Sequence, residues 1–171
     1  MSLTRPPEDR TPLRADLNQP RLLAPGDGDH IAFLGTIMTV KAGGDVTGRN
    51  LSVIECLAPA GFGPPPHRHD LEDELFFVLE GEISFWCAGQ EATYGPGGFA
   101  WCPRGLPHRF RVSDDGPARM FQLTTPAQFE DFAMAVGTRV PTLELPEPAE
   151  PDVEALVRIA ADFQIEILPP S

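Results

Sequence analysis

The sequence predicts an all-β domain, an antiparallel barrel or sandwich, from three observations. Seven apolar, strand-length runs follow one another between residues 31 and 125. Turn-forming residues punctuate them at regular intervals, and proline (20 of 171) and glycine (16) are both abundant. Helical periodicity is confined to the last quarter of the chain, so a helical bundle is excluded.

The runs are IAFLGTIMTV (31–40), LSVIECLA (51–58), ELFFVLEG (74–81), EISFWCAG (82–89), GFAWCP (98–103), HRFRVS (108–113) and ARMFQLTT (118–125). Between them lie KAGGDVTG, GPGG, PRGLP and SDDGP, each rich in residues that favour turns. Residues 1–29 are polar and proline-rich and read as an arm on the body; residues 30–125 read as the barrel. Residues 126–171 read as a helical extension packing on it. Thr125-Pro126-x-Gln128 has the spacing of a capping box with proline at the first helical position. Phe129, Phe132, Ala133 and Val136 would then share one face. After a proline-rich linker, Val153, Leu156, Val157 and Ala160 make a second stripe, and QIEIL closes the chain as a strand.

The formal charge is -12, Lys41 is the only lysine, and the arginines are scattered. No basic stripe exists to follow phosphates or an anionic lipid surface, so neither nucleic acid nor a membrane is expected as a partner. Cys56, Cys87 and Cys102 are odd in number and without paired spacing. They read as buried, inert thiols in a reducing compartment, and the N-terminus lacks the apolar segment of a secretory signal, so a cytoplasmic location is expected. His30 reads as a surface-loop residue. The GDGD before it lacks the later oxygen ligands of a calcium loop, and no dinucleotide fingerprint or serine elbow is present.

The chemistry concentrates in GFGPPPHRHDLEDELFFVLEGE (61–82), which holds two of the four histidines. On an extended strand His67 and His69 point to one face with backbones about 6.6 Å apart, so two imidazoles can converge on one cation. A carboxylate must join them from Asp70, Glu72, Asp73 or Glu74. Glu74 is in phase with Phe76 and Val78; if that phase faces inward, Glu74 is the acid, and the other three form a solvated turn. His108 opens a strand on which Phe110 and Val112 share its phase while Arg109 and Arg111 alternate outward. Three imidazoles and one carboxylate suit a divalent first-row ion with positions left open for other ligands.

Two segments carry a resemblance to a known family. In the first, glycine, five residues, His-x-His, four residues, glutamate, six residues and glycine appear as Gly61, His67, His69, Glu74 and Gly81. In the second, Gly97, Pro103, Gly105 and His108 keep the pattern, and Val112 stands where asparagine is usual. The chain resembles the cupins on these residues. It is similar in particular to single-domain members of the quercetin 2,3-dioxygenase-like group, through GPPPHRH, DELFFVLEGEISFW, PRGLPHRFR, TTPAQFEDFAMAVGT and the ending ADFQIEILPP. The resemblance implies a double-stranded β-helix, or jelly-roll barrel, with short C-terminal helices. It implies His67, His69, Glu74 and His108 as ligands of one divalent iron, manganese, nickel, cobalt or zinc ion, and a homodimer. The expected activity is a dioxygenase acting on a small aromatic or enolisable substrate, with Glu74 also removing the substrate's hydroxyl proton. Phe76, Phe85, Phe110 and Phe132 are candidate pocket walls. The alternatives are a metal-dependent isomerase or lyase of a sugar or keto acid, and a non-catalytic small-molecule binder.

Overall fold

A computed structural model describes residues 20–169. Of the expected arm, residues 1–19 lie outside the described residues, and residues 20–28 carry no helix or strand. Twelve strands follow: β1 (Asp29–Phe33), β2 (Thr36–Ala42), β3 (Ser52–Ala58), β4 (His67–His69), β5 (Asp73–Glu80), β6 (Ile83–Cys87), β7 (Gln90–Tyr94), β8 (Phe99–Cys102), β9 (His108–Val112), β10 (Ala118–Thr125), β11 (Thr138–Arg139) and β12 (Ile165–Ile167). Helix α1 (Gly44–Thr47) interrupts β2 and β3; α2 (Phe129–Val136) and α3 (Val153–Asp162) lie near the end.

The strands make two antiparallel sheets, ordered β11-β1-β2-β3-β10-β5-β8 and β12-β4-β9-β6-β7. This is a double-stranded β-helix. Alternation decides which side chains it encloses. On β5, Glu74, Phe76 and Val78 are buried; on β9, His108, Phe110 and Val112 are buried while Arg109 and Arg111 are not. Ile54, Cys56, Ile83, Phe85 and Met120 complete the same interior. Phe76, Phe85 and Phe110 pack ring against ring, with centroids 5.4–6.3 Å apart.

Several local expectations change. The run 31–40 is a hairpin rather than one strand, because Leu34 and Gly35 both take positive φ and turn the chain back. A strand at 90–94, β7, was hidden by its polar sequence, since it lies at a sheet edge with little to bury. His30 is a strand residue, half-buried, with Nδ1 3.0 Å from the Thr39 hydroxyl. The capping box does not form: α2 starts at Phe129, after a cis Thr125–Pro126 bond, and Gln128 makes no side-chain cap. Instead the Gln128 amide donates to the Phe163 carbonyl at 2.6 Å, tying α2 to the end of α3. On α3 only Leu156 and Ala160 are buried; Val153 and Val157 of the expected stripe face outward.

Candidate metal centre

The local fold brings the two motifs together. β4 carries His67 and His69 on its inner face and sends Arg68 outward to Asp70 and Glu166. Its neighbours are β9, where His108 lies opposite His67, and β12, where Ile165 and Ile167 lie opposite His69 and His67. Gly105 has φ 79°, a left-handed conformation that suits glycine, and its N–H donates to the His69 carbonyl at 2.7 Å. That contact ties the loop before His108 to the strand bearing the other two imidazoles. Gly81 turns the chain at φ 77°, and a Cβ there would meet the Pro117 carbonyl oxygen at 2.7 Å. Gly81 and Gly105, two of the four motif glycines, are therefore backbone requirements.

His67, His69, Glu74 and His108 are all buried, and their ligand atoms lie within 4.8 Å of one another. Glu74 Oε2 stands 2.7 Å from His108 Nε2, 3.6 Å from His69 Nε2 and 3.7 Å from His67 Nε2. The other ring nitrogens fix the tautomers. His67 Nδ1 donates to the Pro65 carbonyl at 3.0 Å, His108 Nδ1 to the Leu106 carbonyl at 2.9 Å, and His69 Nδ1 to Glu72 Oε1 at 2.7 Å. The Pro65 and Leu106 carbonyls have no proton to give, so His67 and His108 each carry one on Nδ1 and aim Nε2 inward, while the Glu72 carboxyl fixes the His69 ring through its Nδ1. His69 Nε2 is buried without a hydrogen-bond partner. An orphaned nitrogen beside two other imidazoles and a carboxylate fits a bound cation.

The electrostatics point the same way. Burial pushes the Glu74 carboxyl upward, but His69, His108 and His67 more than offset it and hold it well below the usual carboxylate range. Burial holds His67 below the ordinary histidine value. Burial also opposes charge on His69, yet Glu74 and Glu72 together raise its proton affinity, so positive charge is drawn to this position. Gln122 donates its amide to Glu74 Oε1, which leaves Oε2 for the imidazoles.

Glu72 corrects the sequence reading. It was expected in a solvated turn, yet it is only 1% exposed and holds the His69 ring. Burial pushes its carboxyl up, against the pull of His69. Its place between Leu71 and Asp73 gave no periodic signal. Asp70 and Asp73 do stay at the surface, paired with Arg68 and Arg104.

A cleft opens onto His67 and Glu74. Its empty space is about 530 Å³ including the open mouth. Apart from His67, Glu74 and Gln122 its walls are apolar, including Phe33, Phe62, Phe110, Phe129 and Phe132. Leu156 of α3 and both isoleucines of β12 close one side. Of the four candidate wall residues, Phe110 and Phe132 line this cleft; Phe76 and Phe85 pack against Phe110 in the core instead.

The cupin domain model matches residues 53–124, the segment that carries all four converging side chains. The chain belongs to the cupin superfamily. This cupin is 29% identical over 118 residues to quercetin 2,3-dioxygenase of Bacillus subtilis, covering 69% of the chain and 35% of that protein. It is 36% identical over 76 residues to the dimethylsulfoniopropionate lyase DddQ of Ruegeria pomeroyi, covering 44% of the chain and 37% of that protein. The chain thus spans about a third of the length of these relatives. Among solved structures it resembles KdgF from Halomonas sp. (TM-score 0.51, 18% identity, 57% of this chain and 84% of that one). It also resembles an RmlC-like cupin from Shewanella frigidimarina (TM-score 0.50, 19% identity, 58% and 82%). These two likenesses concern the fold.

Proposed function

We propose that this cupin is a metal-dependent dioxygenase acting on a small aromatic or enolisable substrate. The observation that carries the reading is the convergence of three Nε2 atoms and one carboxylate oxygen at the floor of a narrow apolar cleft. His67, His69, His108 and Glu74 would hold one divalent iron, manganese, nickel, cobalt or zinc ion. When bound, such an ion supplies Lewis acidity toward an ionised substrate oxygen and, where it is redox-active, a path for electrons.

The residues of the chain do the rest. The Glu74 carboxylate takes the substrate's hydroxyl proton, and Gln122 fixes its other oxygen during that transfer. Phe110, Phe129 and Phe132 line the cleft, where they would pack against a flat ring and keep water from the reacting atoms. Similarity to quercetin 2,3-dioxygenase supports the reaction class.

Similarity to a lyase supports a second reading, in which Glu74 removes a proton from carbon and elimination follows without oxygen. Metal analysis, followed by oxygen uptake on phenols, flavonols and diketones, separates the two. The first reading expects metal-dependent oxygen consumption that Glu74→Gln abolishes. Turnover of an eliminable substrate under strict anaerobiosis, with oxygen untouched across the panel, would install the second. We further propose a second copy of the chain as partner, seated on an exposed aromatic sheet face.

A further inference from the structure

Helix α2 serves two clefts. Phe129 and Phe132 line the one that opens onto His67 and Glu74, while Glu130, Asp131 and Met134 line another, which shares no wall residue with the first. The second cleft encloses about 750 Å³ including its open mouth, and β1, β2, α1 and β11 supply most of its remaining walls.

Its chemistry is unlike that of the first. Ile31 and Val40 are buried and, with Met134, give it an apolar wall. Four carboxylates, Asp29, Asp45, Glu130 and Asp131, stand against the guanidinium groups of Arg49 and Arg139. Arg49 Nη1 lies 2.7 Å from Asp131 and Arg139 Nη1 lies 2.9 Å from Asp29, which Arg21 also approaches at 4.0 Å. Asp45 and Glu130 pair with no base among the described residues, so the cleft keeps a surplus of negative charge.

Glu130 is the member that the fold does not explain. It is only 7% exposed; Oε1 accepts from the Gly44 N–H at 2.7 Å, but Oε2 is buried with no hydrogen-bond partner. A buried carboxylate oxygen left without a donor is costly, and it calls for a cationic or hydrogen-bonding group that the chain does not itself supply. The second unpaired acid stands close by. A Cβ on Gly43 would lie 3.0 Å from Asp45 Oδ1 and 3.4 Å from Glu130 Oε1, so both carboxylates border one small space. A bare metal ion fits this space less well than an organic cation. Among the described residues, the only set of three or more converging metal-ligating side chains is the one around Glu74. A guanidinium head carries five N–H donors in one plane and can serve both acids at once, while an aliphatic stem packs on the apolar wall.

We propose that this cleft binds a small molecule bearing a guanidinium group on a short aliphatic stem. The head donates to Glu130 Oε2 and to Asp45, and the stem lies against Ile31, Val40 and Met134. The site is separate from the metal centre, and its ligand is independent of the reaction proposed there.

The test is titration calorimetry on the full-length, zinc-loaded chain, with butylguanidinium as probe and butylurea as its uncharged counterpart. The guanidinium has no lone pair to offer zinc, so it leaves the metal centre alone. One saturable site per chain is expected for butylguanidinium and none for butylurea. Glu130→Gln removes the charge but keeps an oxygen for the Gly44 N–H; it is expected to weaken binding about tenfold or more, with the single zinc retained. Asp45→Asn, at an exposed position, is expected to weaken binding less. The proposal is overturned if millimolar butylguanidinium gives no saturable heat, if butylurea binds equally well, or if Glu130→Gln binds as tightly as the wild type. The two probes decide the matter on the wild-type chain even if Glu130→Gln fails to fold.

Discussion

Glu72 holds the Nδ1 proton of His69 at 2.7 Å, with both side chains almost wholly buried. Removing such a partner frees the ring to rotate and lowers its basicity, an effect that typically weakens metal binding about 10- to 100-fold. Glu72→Ala is therefore expected to lose that much zinc affinity in a competition titration against a chromophoric chelator. Glu72→Gln, which keeps an oxygen acceptor, is expected to lose less. Wild-type affinity in Glu72→Ala would mean that strand geometry alone orients His69. The contrast with the four inward residues is instructive. His67, His69, Glu74 and His108 could be read from the chain because each sits in phase with apolar neighbours on a strand. Glu72 could not, because it lies just before β5, where no alternation applies. Gln122 was equally silent: a glutamine between Phe121 and Leu123 reads as an ordinary strand residue until β10 is paired with β5.

Elements position the ligands through a few cross-links, and these set the element-scale expectations. Asp73 opens β5, one residue before Glu74, and accepts from the backbone and guanidinium of Arg104, in the loop that leads to His108. The Arg104 contacts hold the Asp73 carboxyl below its ordinary value. A carboxyl depressed in the folded state stabilises that state above its unfolded pKa, and the contribution fades as pH falls through the folded value. Arg104→Ala should thus lower the urea midpoint near neutral pH, and the gap from wild type should close in acid below the usual aspartate range. A gap independent of pH would assign the loss to packing. Helix α2 makes the second case. Phe132 is buried edge-on against Phe33 and Phe129 and tilted against Phe163, with centroids 5.5–5.6 Å away. Phe132→Ala is expected to cost about 3–5 kcal/mol in denaturant unfolding. It should also widen the cleft, raising KM for small rings more than for large ones. The apolar face of α2 was legible at helical period, but its start was not: Thr125 continues β10, and the strand's pairing with β5 overrides the capping pattern. The outward valines of α3 failed for a related reason, since a short helix packed along one line can bury two of its four apolar positions and leave the rest to solvent.

At the scale of the molecule, charge and surface decide how it meets another copy. The chain carries -12, so two copies repel at long range, and association needs an uncharged face. The β10-β5-β8 end of the larger sheet's outer side provides one, bordered by the ion pairs of Glu55 with Lys41 and Arg119. Cross-strand neighbours Phe99, Phe77 and Phe121 form one row; Trp101, Leu75 and Leu123 form the next. Phe77, Phe99 and Trp101 are 41%, 54% and 58% exposed, and β8 ends the sheet with no further strand beside it among the described residues. With the half-buried leucines these rings present roughly 400 Å² of apolar surface, at the upper range of what a monomer leaves uncovered. A stable dimer buries about 800 Å² per partner around such an apolar centre, and a flat sheet face meets its own copy across a two-fold axis without further design. We therefore expect the protein to sediment as a dimer. Trp101→Glu, which adds a charge to the most exposed ring of the face and is not among the four converging side chains, should give a monomer that still binds one zinc. Added salt should tighten the wild-type dimer, because screening weakens the mutual repulsion while leaving the apolar contact intact. A wild-type monomer at micromolar concentration, or a dimer indifferent to Trp101→Glu, would assign this face to a different occupant and leave the metal centre as a single-chain property.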